Sequence, residues 1–129
     1  MIRPCFASSV LFIFNAGLCW YYAEYAYAAI FAALTCTSLA FHYDPTNPWA
    51  SAADKLAVLA VVVYGGYRFG SKHSGQWTPV EMAVLATFGV CLALFFWPGQ
   101  FCHDPEWGDA WHAILHGVSS AGHALILLV

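Results

Sequence analysis

From residue 5 to residue 43 the chain holds a single acid, Glu24, and no basic residue. Apart from Asn15, Glu24 and a closing His42 the run is apolar, aromatic or small. A membrane-crossing helix takes about 20 mostly apolar residues, with about 17 as a working minimum, so this run is too long for one crossing and suits two. The polar-aromatic YYAEY at 21–25 is where it turns, giving spans over 5–21 and 25–43. The same constraint holds for the whole chain: 61% of its 129 residues are hydrophobic and 9% are charged. A soluble domain carries about 25% charged residues, so polar surface is too scarce here to cover a water-facing globule. The sequence predicts an all-α, polytopic membrane helix bundle.

Three further spans complete the reading. DPTNPWASA, with two prolines, is a predicted loop. DKLAVLAVVVYGGYRFG, residues 54–70, is a third span ended by Gly65-Gly66, Arg68 and Gly70. SKHSGQWTP is a second loop, whose Pro79 suits a first helical turn. A fourth span over 79–97 stops at Pro98-Gly99, GQFCHDPEWGD is a third loop, and 109–129 is a fifth span. The expectation is one transmembrane domain over residues 1–129, built of about five short helices without a repeat. MIRPCFASSVLFIFNAGLCW has the lone Arg and short apolar core of a secretory leader, but it runs on into hydrophobic sequence without a clear A-x-A site, so it reads as the first span. Cys5, Cys19, Cys36, Cys91 and Cys102 are odd in number and form no CxxC, which leaves them as small hydrophobes. Four Lys+Arg and a net charge of -3 exclude a nucleic-acid footprint. Arg3 and Lys55 on one side balance Arg68 and Lys72 on the other, so the charge rule sets no orientation. Asp44, Asp54, Asp104, Glu106 and Asp109 all fall on the first side.

The polar residues within the spans carry the chemistry. Ser38 and His42 end span two, Asp54 opens span three, and His112 and His116 occupy the first two turns of span five. Alternation puts these ends on one side of the membrane, in a band one to two turns deep at about 5.4 Å per turn. Ser38 and His42 are i,i+4 and share a helix face, as do His112 and His116. Paired His at that spacing can reach one metal ion, and His42 supplies a third nitrogen. Three protein ligands with an open fourth position are the pattern of a catalytic zinc, on which bound water can reach a pKa of about 7. Asp54 and Ser38 then stand behind the ligands to hold that water or move its proton. Each residue also has a plainer reading: a His pair hydrogen-bonding a neighbouring helix, a helix-start acid at Asp54, a small packing residue at Ser38.

TCTSLAFH, then Asp54 twelve residues beyond His42, then WHAILH resemble the CREST superfamily, which includes the alkaline ceramidases, the adiponectin/progestin receptors and the myomaker-type proteins. Its pattern of Ser-x-x-x-His, an Asp opening the next helix and His-x-x-x-His on the last falls on Ser38, His42, Asp54, His112 and His116. The resemblance implies Zn2+ on the three His, with Ser38 and Asp54 supporting its water, and hydrolysis of lipid amide or ester bonds. Family members have seven spans, so this chain resembles a shortened version that lacks two.

The leading expectation is a zinc-dependent intramembrane hydrolase of lipid amides or esters, with membrane lipids as surroundings and substrate class. The alternative is a non-catalytic subunit of a larger membrane complex, packed against other membrane subunits, its zinc retained as a staple or lost. Histidine ligation of haem or chlorophyll is a third option that i,i+4 pairing on one helix disfavours. His123 lies i+7 from His116, about 10 Å along the helix, and reads as an interface His. His73 and His103 read as solvated loop residues, Glu24 and Asn15 as packing or interface groups, and Lys55 as a snorkelling side chain.

Overall fold

The computed structural model describes residues 3–96 and 105–129. It is an all-α bundle with no strand among the described residues: α1 (Pro4–Ser8), α2 (Leu11–Tyr21), α3 (Tyr25–Tyr43), α4 (Pro48–Lys72), α5 (Pro79–Phe96) and α6 (Pro105–Ile126). Residues 97–104, which take in the expected end of the fourth span and the first part of the third loop with Cys102 and His103, lie outside the described residues.

The first expected span is two helices. At Ser9 and Val10 the chain tightens into i→i−3 contacts, with Val10 N–H donating to Ala7 O at 3.3 Å and Phe12 N–H to Ser9 O at 3.2 Å. The YYAEY turn forms as expected, with Ala23 in the left-handed region at φ 60°. α4 starts six residues earlier than expected. Pro48 occupies the first turn and Asn47 caps it, its Oδ1 accepting from Trp49 N–H at 3.0 Å and Ala50 N–H at 3.2 Å. The prolines of DPTNPWASA thus mark a helix start as well as a loop. Gly65-Gly66 does not end α4, because a side chain is absent there for packing: a Cβ on Gly65 would lie 2.7 Å from the Tyr27 hydroxyl.

α3 is the central helix, packed between α2 and α4. Tyr27, Phe31, Leu34, Ser38 and His42 are all buried and recur at spacings of three and four, so they form one stripe. Tyr27, Phe31 and Leu34 join Phe12, Cys19, Ala28, Val61 and Leu127 in the core. Polar pins tie the helices together across it. Asn15 of α2 donates to Ser120 O of α6 at 2.9 Å, and the Ser120 hydroxyl returns a bond to Asn15 Oδ1 at 2.5 Å. Glu24, at the α2–α3 turn, pairs with Arg68 of α4 at 2.5 Å.

Outward-facing Phe14, Trp20, Val63, Phe88 and Phe95 are each more than half exposed, a surface for lipid contact. Four stretches are long and apolar enough to cross a membrane: Pro4–Tyr21, Tyr25–Tyr43, Pro48–Lys72 and Pro79–Phe96. α6, the expected fifth span, is 22 residues long but more polar, since Asp109 and three His interrupt it.

The 73–78 connection differs from its expected solvated state. His73 Nδ1–H donates to the buried Glu81 Oε1 at 2.8 Å. Thr78 N–H donates to Glu81 Oε2 at 2.7 Å while Glu81 N–H donates to Thr78 Oγ1 at 3.2 Å. This is a capping box, and its T-x-x-E signature is present in TPVE at 78–81.

α5 packs on α6 where Gly122 meets Thr87, a Cβ on Gly122 falling 2.5 Å from Thr87 Oγ1. Gly122→Val is therefore expected to push α5 off α6 and destabilise the fold by about 1–3 kcal/mol, read as a lower Tm in detergent. Gly17→Ala, where nothing lies within 4 Å of the added carbon, should leave Tm unchanged or slightly higher.

Candidate metal centre

Two helices deliver the three imidazoles. His42 is the last residue but one of α3, and His112 and His116 occupy one face of α6 two and three turns from its start. Their potential ligand nitrogens all lie within 4.8 Å of one another. The ring centroids are 5.1 Å apart for His42 and His112, 5.4 Å for His42 and His116, and 4.7 Å for His112 and His116. His42 and His116 are buried and His112 is half-buried. The Phe12 ring packs against His116, with ring centroids 5.0 Å apart.

A metal ion fits this set on an observation independent of spacing. His42 Nε2 is buried and has no hydrogen-bond partner. A polar nitrogen buried without a partner costs about 1–3 kcal/mol, and a cation between the rings removes that cost. Three neutral imidazoles are a suitable nitrogen donor set for a divalent ion of the zinc type. Among the described residues the group is His42, His112 and His116, with no fourth His, Cys, Asp or Glu in it.

The expected supporting residues stand one step back. Ser38 lies one turn before His42 and is fully buried, its hydroxyl 3.1 Å from that of Ser9. Asp54 is buried and accepts from Thr37 Oγ1 at 3.4 Å, with the Ser38 hydroxyl also in reach. Because α4 starts at Pro48, Asp54 sits in its second turn and not at its opening. Among the described residues neither Ser38 nor Asp54 hydrogen-bonds an imidazole; Asp54 meets the centre through the Thr37–Ser38 turn of α3.

His123 takes the interface role expected of it. Its Nδ1 pairs with the Tyr27 hydroxyl, and its ring lies edge-on to Phe31 at 5.3 Å.

The sequence reading missed the α1 side of the centre. The Ser8 hydroxyl lies 2.8 Å from His116 Nδ1. Asp109 accepts from Arg3 Nη2 at 3.0 Å and from Cys5 N–H at 3.2 Å, and the Cys5 thiol donates to Asp109 O at 3.1 Å. Asp109 had a readable signal, since it precedes His112 by three residues and shares its helix face. Ser8 had none, because nothing in its local sequence shows that α1 folds back on α6.

Fold and site together define an all-α helix bundle of membrane character with a buried three-histidine cluster at one end. Comparison of the chain with protein-family models, curated proteins and solved structures finds no match.

Protein purified with zinc should carry about one ion per chain by elemental analysis. Replacing His42, His112 or His116 by Ala should remove it, whereas His73→Ala, outside the cluster, should leave metal content unchanged.

Proposed function

We propose that the chain is a multi-pass membrane protein acting as a zinc-dependent hydrolase of lipid amide or ester bonds. The observation that carries this reading is the convergence of His42, His112 and His116 with one nitrogen left unpartnered and no fourth described donor. Bound there, zinc supplies Lewis acidity that polarises a carbonyl and makes water a competent nucleophile near neutral pH.

The remaining steps fall to the chain itself. The three imidazoles hold the ion, and the Phe12 ring packs against His116. Asp54 acts through Ser38 as general base and acid, holding the proton released in the attack and returning it to the leaving amine or alcohol. A lipid substrate suits the depth of the site. His42 lies in the last turn of α3, and in a helix that crosses the membrane such an end falls near the level of the amide and ester linkages of lipids. The apolar flanks of the bundle then accommodate acyl chains.

A second reading, a non-catalytic subunit of a larger membrane complex with zinc as a staple, is favoured by α5. That helix packs chiefly against α6 and leaves Met82, Phe88, Phe95 and Phe96 exposed. The two readings separate in one experiment. Metal-loaded protein is incubated with ceramides and phospholipids, and free fatty acid is measured. Asp54→Asn should lower turnover by about 10²–10⁴-fold while zinc stays bound. Full turnover in that variant excludes the proton role of Asp54. No fatty acid release by the metal-loaded wild type favours the structural reading.

A further inference from the structure

The three-histidine cluster has its rings on α3 and α6, yet a hydrogen-bond partner to one of them comes from α1. Ser8 ends that five-residue helix, and its hydroxyl lies 2.8 Å from His116 Nδ1. We infer that Ser8 is a positioning residue for the metal centre: it holds the His116 proton on Nδ1 and so presents Nε2 to the ion. This assignment rests on the metal-binding reading above.

The proton count supports that direction. A neutral imidazole has one N–H, so ligation through Nε2 requires the proton on Nδ1. Ser8 then accepts from Nδ1–H, and its own proton needs a second acceptor. One is in place, since Ser8 Oγ is 3.0 Å from the Cys5 carbonyl. Every proton in the chain from Nδ1 through Ser8 to Cys5 O therefore has an acceptor. In the reverse arrangement Ser8 donates to Nδ1, the proton moves to Nε2, and His116 cannot ligate. Ring N–H groups of metal-binding histidines are ordinarily held by such a partner, which fixes both tautomer and ring orientation.

Ser8 can do this because α1 is itself anchored. A helix of five residues has little stability alone, and no side chain of its own caps its first turn. Asp109 of α6 supplies the cap, accepting the orphan Cys5 N–H at 3.2 Å and pairing with Arg3 at 3.0 Å. Ser9 adds a link to α3, its hydroxyl 3.1 Å from that of Ser38. Asp109 precedes His116 by seven residues on the same helix face, so the anchor and the ring it serves are fixed in register.

The test uses the full chain in detergent, as wild type, Ser8→Ala, Ser8→Thr and the remote control Ser71→Ala. Two readouts are taken: the imidazole tautomers of the metal-free protein by ¹⁵N NMR, and zinc affinity by competition with a chromophoric chelator. The expected result is an Nδ1–H tautomer at His116 in the wild type that is lost in Ser8→Ala. Zinc affinity should fall by about 10–100-fold in Ser8→Ala and recover to within a few-fold in Ser8→Thr, with Ser71→Ala unchanged. A proton on Nε2 of His116 in the metal-free wild type overturns the assignment without recourse to any variant. Unchanged tautomer and affinity in Ser8→Ala overturn it while leaving the metal site standing. No zinc uptake by the wild type removes the metal reading and this assignment together.

Discussion

A polar group inside an apolar bundle finds its partner in another helix or remains unsatisfied at a cost of several kcal/mol. That constraint organises α6. Asp109, His112, His116, Ser120 and His123 fall on one face, and a helix with such a face cannot turn it to lipid. Each member meets a different part of the fold. Asp109 receives α1, His112 and His116 meet His42, Ser120 exchanges two hydrogen bonds with Asn15 of α2, and His123 pairs with Tyr27 of α3. The bundle is arranged around this stripe, with α3 contributing a matching one whose lower part is Tyr27, Phe31 and Leu34 and whose upper part is Ser38 and His42.

The division within these stripes explains why the fold and the site are hard to separate. Toward one end His123 has its partner in the Tyr27 hydroxyl and lies edge-on to Phe31. Toward the other, three imidazoles face one another and His42 Nε2 has nothing. A cluster of three nitrogen donors with one left unpartnered is one that a metal ion could complete.

Much of this was legible in the sequence, for a reason that differs by element. The span over 25–43 and the start of the span at 79 were readable because YYAEY and Pro79 interrupt the apolar pattern where the helices do. The three imidazoles were readable because spacing of four puts two on one face and alternation of spans puts the third at the same level. The N-terminal end of α4 was not, since NPWASA reads equally as a loop until Asn47 is seen to cap it. The division of the first span at Ser9 had no local signal, and the pairing of His73 with Glu81 was concealed by the assumption that a loop histidine is solvated.

Composition and periodicity alone determined that the chain is all-α, apolar-surfaced and polar on one face of its last helix, because these are properties of each segment taken separately. Only the tertiary structure decided which segments answer that face. The placement of Ser8 beside His116, of Asp109 over the start of α1, and of Asp54 behind Ser38 and not against the imidazoles depends on how helices distant in sequence lie against one another. Periodicity carries no information on that, because a helix face states what it must bury and leaves open what will bury it.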